Sequence, residues 1–124
     1  MPADDVTPEE TLAQFSAAFR RMDLETMMTH LADDCTGFWP VAERLERLPD
    51  KAAIRAQFAQ TIAATREAGG TEVVRTSGDF LTQQFGDVAV VTFHLRDATF
   101  GRRTFVLQWR WDRWLIVHIH GSNS

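Results

Sequence analysis

The sequence predicts an α+β fold on three observations. Up to residue 68, apolar side chains recur every three or four positions, the spacing of helices. From residue 72 onward they alternate or run together, as in strands. Two tight-turn signals, Gly86-Asp87 and Asp112-Arg113, cut that second part into hairpins. Helices followed by antiparallel strands give a helical layer on one face of a sheet. The length of 124 residues suits one domain, so residues 1–124 are read as a single unit.

The elements follow in order. Thr7-Pro8-Glu9-Glu10 reads as a capping box with proline at the first helical position. Leu12, Phe15, Phe19 and Met22 continue at helical spacing. Asp23 caps a short second helix whose stripe is Leu24, Met27, Met28 and Leu31. Asp33 and Asp34 fall beyond its end, where the helix dipole disfavours carboxylates, so solvation or pairing is expected. Cys35 to Trp39 reads as a short strand stopped by Pro40, and 41–48 as a charged loop. Pro49-Asp50 opens a third helix carrying Ile54, Phe58 and Ile62, which Gly69-Gly70 ends. The predicted strands are 72–85 (whole, or broken near Gly78), 88–96, 103–111 and 114–120, with a polar tail from Gly121.

In the final strand, strict alternation puts Leu115, Val117 and Ile119 on one face and Trp114, Ile116, His118 and His120 on the other. A strand apolar on both faces is covered on both. With helices enough for one face, the second cover is another subunit, so a homodimer is expected, with Ile116, His118 and His120 at the dimer face.

Composition excludes several classes. Hydrophobic residues at 44% and charged residues at 24% describe a chain that folds rather than a disordered one. The net charge is −4 and the basic residues are interspersed with carboxylates, so no nucleic-acid surface is visible. No apolar run approaches the ~18 residues of a membrane span. The acidic start lacks the features of a signal peptide, and a single cysteine, Cys35, leaves no intrachain disulfide. A cytoplasmic location is expected, with neither membrane nor nucleic acid as partner.

The closing segment, Trp114-Leu115-Ile116-Val117-His118-Ile119-His120-Gly121-Ser122, resembles the last strand of SnoaL-like proteins. It is similar also to that of the calcium/calmodulin-dependent protein kinase II association domain; both belong to the nuclear transport factor 2-like superfamily. Leu31-Ala32-Asp33-Asp34, Phe38-Trp39-Pro40, Asp50-Lys51-Ala52-Ala53-Ile54 and Gly86-Asp87-Val88-Ala89 agree with that pattern in order. The resemblance implies a cystatin-like cone: a curved antiparallel sheet wrapped round three helices, with a pocket between them and a dimer through the outer sheet face. Fold alone does not choose among the isomerases, cyclases, dehydratases, binding proteins and assembly modules that share it.

The chemistry-bearing residues narrow the choice. In the steroid isomerases that the segment around Asp33-Asp34 and Pro40 resembles, the general base is the Asp just before the proline; here that position is Trp39, which accepts no proton. Those enzymes also hold the enolate with a tyrosine hydroxyl, and this chain has no Tyr. His118 and His120 share a strand face as metal-binding imidazoles do, but no further ligand follows, so no metal is assigned. Cys35 follows two acids that raise its pKa, which suits a buried thiol better than a nucleophile. His94 and Arg96, on one face with Thr92, are the candidate proton carrier and oxyanion partner. The three pocket arginines of the association domain correspond here to Thr92, Phe105 and Gly121, so the pocket is expected to be more apolar and less attractive to small anions. Its expected walls are Phe15, Phe19, Trp39, Phe58, Thr92, His94, Phe105 and Trp109.

Three readings stand. The first is a dimeric SnoaL-like protein that binds a small apolar or aromatic molecule without a cofactor. The second is a cyclase, dehydratase or isomerase acting on a carbonyl compound through His94 and Arg96. The third is an oligomerisation module without ligand. Whether a titratable group reaches the pocket separates the first two, and whether the cone is hollow separates both from the third.

Overall fold

The computed structural model describes residues 7–40, 45–97 and 100–123. The N-terminal residues, much of the charged loop at 41–44 and Ser124 lie outside these, as do 98–99 of the loop before Gly101.

Each helix starts where a side chain satisfies a free backbone N–H. Thr7 caps α1 (Pro8–Arg20), accepting from the Glu10 amide at 3.2 Å. Asp23 caps α2 (Leu24–Thr29), accepting from the Thr26 amide at 3.2 Å and its hydroxyl at 2.7 Å. Asp50 caps α3 (Lys51–Glu67) through the Ala53 amide at 2.9 Å. Gly69, just beyond α3, takes φ +84°, a left-handed conformation that ends helices and that glycine adopts without strain.

The strands are β1 (Leu31–Phe38), β2 (Ser77–Phe85), β3 (Val88–Arg96), β4 (Phe100–Arg110) and β5 (Arg113–Asn123), in sheet order β1-β5-β4-β3-β2. Strands β2 to β5 form an antiparallel meander, and β1 joins the far edge parallel to β5. Leu12 and Phe15 of α1 and Ile54 and Phe58 of α3 meet Val91, Leu107 and Ile116 of the sheet in one core. Together these make the α+β cone: a curved, unclosed sheet with helices packed inside its curve.

Five boundaries differ from those expected; one is β4, which begins at Phe100 rather than Arg103 and so takes Gly101 into the strand. β1 begins at Leu31, not Cys35, because Asp33 and Asp34 lie exposed on an irregular stretch of the strand. Acidic residues are depleted in strands, which hides such a start. The carboxylates are paired as anticipated, Asp34 with Arg110 at 2.8 Å and Asp33 with Lys51 at 3.7 Å. β2 begins only at Ser77, and its ladder shifts register between Gly78 and Leu81, where Asp79 takes φ +58°. The last hairpin turns at Trp111-Asp112, both at positive φ, one residue earlier than expected. Finally, Gly121–Asn123 extends β5 rather than forming a tail.

The consequential difference is a bulge. Val106 pairs with His118, but the next residue, Leu107, pairs with Ile116, so β5 carries Val117 as an extra residue. A bulge inverts the alternation beyond it. Trp114 and Ile116 point inward before it, and Ile119, Gly121 and Asn123 point inward after it. Strict alternation had joined Ile116 to His118 and His120 on the dimer face. Ile116 instead has no exposed surface and sits in the core, while His118 and His120 pack against Phe38 on the other side.

Candidate functional site

The inward face of the sheet divides into a filled end and a hollow one. At the rungs nearest the β4–β5 hairpin, Ala89, Leu107 and Ile116 are wholly buried, and Trp109 packs edge-on against Trp114 at 5.7 Å. Moving away from the hairpin, the inward rungs are Phe105 with Ile119, then Phe93 with Arg103 and Gly121, then Leu95 with Gly101 and Asn123. Above these rungs, between sheet, α1, α3 and the end of β1, lies a cavity of about 520 Å³. That volume falls in the range of small-molecule sites.

Its wall is a chain of aromatic contacts. Phe58 of α3 meets Trp39 at 4.8 Å, Phe19 at 5.1 Å and Phe15 at 5.5 Å, all edge-on. Phe15 in turn meets Phe105 at 5.7 Å, which stacks on Phe93. Edge-to-face pairs at these separations add to the stability from area burial alone. These ring contacts hold the wall in place.

Three cations border the cavity. Arg20 is paired with Glu72 at 3.2 Å. Arg75 lies over the Phe19 ring and donates to the Val74 carbonyl. Arg103 is half-buried; its Nη1 donates to the carbonyls of Arg102 (3.0 Å) and Ser122 (3.4 Å) and to Asn123 Oδ1 (3.1 Å). Burial and, secondly, the Arg75 charge push its pKa below the usual value, with Asp97 opposing.

Of the residues expected to line the pocket, Phe15, Phe19, Trp39, Phe58 and Phe105 do so. Thr92, His94 and Trp109 do not. Trp109 belongs to the filled end. Thr92 and His94 lie on the opposite sheet face, because Val91, Phe93 and Leu95 are the buried residues of β3 and alternation puts their neighbours outside. His94 rests against Phe100 there, with Nδ1 3.0 Å from Asp79 Oδ2 but out of line for a hydrogen bond. Arg96 also lies over Phe100. The candidate proton carrier and oxyanion partner are thus together, but outside the cone. Among the described residues, the cavity lining contains no His, Asp, Glu, Lys or Cys. No cluster of three or more His, Cys, Asp or Glu is placed to hold a metal, again among the described residues.

The expectation of a more apolar pocket, less attractive to small anions, also changes. Thr92, Phe105 and Gly121 supply no cation, but Arg103 does, one rung from Phe105 on the same face of β4. The signal was present: if Phe105 points inward, so does the residue two positions before it. Cys35 is fully buried and its pKa is pushed up to about 12, chiefly by burial and then by Asp34.

The profile of the SnoaL-like domain matches residues 9–124. The chain belongs to the SnoaL-like family. Solved structures similar to this SnoaL-like chain include an NTF2-like protein of unknown function from Pseudomonas putida, at 18% identity over 92% of this chain and 82% of that one, with a TM-score of 0.77. A provisionally assigned calcium/calmodulin-dependent protein kinase type II association domain from Thiobacillus denitrificans is 23% identical over 96% of both chains, with a TM-score of 0.76. A provisionally assigned dehydratase of the NTF2-like family from Streptomyces avermitilis is 17% identical over 94% and 93%, with a TM-score of 0.78. No curated protein matches the chain. At these identities the likeness shows the SnoaL-like fold and leaves activity to the site. No helix among the described residues is long and apolar enough to cross a membrane.

Proposed function

We propose that this SnoaL-like protein binds a small, largely aromatic or apolar molecule in its cone and works as a homodimer. The supporting observation is the aromatic-walled cavity of about 520 Å³, kept open although the rungs beneath it are filled. Aromatic walls with few polar groups favour ligands through apolar burial. A proton-transfer enzyme is the weaker reading, because among the described residues the lining offers no general base.

The dimer reading rests on β5, which buries Trp114, Ile116 and Ile119 on the helix side and turns the half-buried Val117 to the other. Val90 and Val106, both half-buried, alternate with the buried Ala89, Val91, Phe105 and Leu107 and continue that outer face.

Titration with naphthalene-2-carboxamide, a neutral aromatic probe, followed by fluorescence of Trp39 and its neighbours, tests the ligand reading. A saturable change with Kd below about 1 mM, or roughly −4 kcal/mol, is expected. If neither this amide nor the matching naphthalene-2-carboxylate binds at that concentration, the ligand reading is overturned and the assembly-module reading is favoured. Light scattering should give twice the 14.1 kDa chain mass, and a monomer at micromolar concentration overturns the dimer.

A further inference from the structure

We infer that the cavity selects organic anions, specifically an aromatic or apolar body bearing one carboxylate, and that Arg103 is the residue that receives it. The inference rests on the cavity being a ligand site and goes beyond that reading by naming the charge of the ligand.

Three observations carry it. First, the Arg103 guanidinium is only partly used. Nη1 is held by Arg102, Ser122 and Asn123, whereas Nε and Nη2 donate to nothing among the described residues. Nε and Nη2 form the edge that grips a carboxylate with two parallel hydrogen bonds. Second, Arg103 forms no ion pair among the described residues, unlike Arg20, which Glu72 neutralises. Asp97 acts on the guanidinium from a distance but does not pair with it, so a half-buried cation hydrogen-bonded only to neutral oxygens leaves positive charge at the apolar cavity, where an anion is worth more than in water. Arg75 adds to that charge from the same lining.

Third, the surroundings leave the guanidinium room. Gly121 faces Arg103 across the ladder and Gly101 precedes it by two on the same strand face. A methyl on either would stand 3.2 Å from Nη1, closer than ordinary contact. At both positions glycine keeps the cation in place at the end of the aromatic wall. A ring lying against Phe58 and Phe105 with its carboxylate on Nε and Nη2 would bury its apolar body and pair its charge.

The test compares naphthalene-2-carboxylate with naphthalene-2-carboxamide, which keep ring and shape and differ in charge, on wild type, Arg103→Met and Arg103→Lys. Wild type is expected to prefer the carboxylate at least ~10-fold at low salt, with the preference shrinking as salt rises. Arg103→Met removes the preference while carboxamide affinity stays within about twofold, which also shows that the variant is folded. Arg103→Lys keeps part of it, because the charge survives without the fork. Equal wild-type affinities, or a preference that survives in Arg103→Met, overturn the inference and leave the cavity reading standing. Binding of neither probe to wild type defeats the cavity reading itself, and the inference with it.

Discussion

Arg103 and Gly121 face each other across the β4–β5 ladder, and a Cβ on Gly121 would lie 3.2 Å from Arg103 Nη1 and 3.1 Å from Pro40 Cγ. The position opposite the cation is therefore tight for any side chain, and Pro40 or the guanidinium must yield by a few tenths of an ångström to admit one. Gly121→Leu should project its branch into the space that the ring of a ligand would occupy. The expected outcome is at least a ~10-fold loss of naphthalene-2-carboxylate affinity, or about 1.4 kcal/mol, read by fluorescence titration. Unchanged affinity in a folded Gly121→Leu protein would mean that the probe sits elsewhere.

The bulge at Val117 makes Ile116 a core residue. Ile116→Ala should cost about 2–5 kcal/mol of unfolding free energy by urea denaturation, from lost burial and the cavity left behind. The oligomeric mass should not change while the protein stays folded. A variant of unaltered stability that becomes monomeric would return Ile116 to an interface and refute the bulge.

His118 gives a pH dependence. Burial, then the His120 and Arg47 charges, lowers its pKa, and its Nδ1 is 2.8 Å from Thr36 Oγ1. In the unfolded chain it would protonate near the ordinary histidine value of about 6.5. Between that value and its lower folded pKa, the unfolded state binds more protons, so stability falls as pH drops through about 6.5. His118→Gln should flatten part of the decline in melting temperature between about pH 7.5 and 5.5. His30, whose pKa burial and Arg113 also lower, accounts for another part. A variant whose melting curve keeps the full wild-type pH slope would show that His118 does not carry the effect.

Cys35, with its pKa near 12 and no exposed surface, should be inert. At pH 8 under native conditions, labelling by a disulfide reagent should be at least ~100-fold slower than in urea, since both thiolate fraction and access are suppressed. Fast native labelling would show that β1 opens readily.

Much of the architecture was legible in local chemistry. Thr7, Asp23 and Asp50 announce three helices because a cap is a contact between residues three apart. Gly86-Asp87 marks the β2–β3 turn because Gly86 takes a positive φ that few residues tolerate. The aromatic wall was legible in part: Phe15, Phe19 and Phe58 lie on faces set by helical spacing, and spacing is a property of the chain.

What the chain could not state alone is which sheet face looks inward at each point. Thr92 and His94 share a face in any strand, but only packing against α1 and α3 decides that the face is the outer one. The extra residue at Val117 exists only in the pairing of β5 with β4, and it moved Ile116 into the core and left His118 outside. Residue order was enough for the family, the helices and the supply of aromatic side chains. Tertiary structure alone decided that the cone is hollow at one end and that Arg103, rather than His94, meets the hollow. Alternation and capping are set by residues a few positions apart, whereas the inward face and the empty volume are set by which distant surfaces come together.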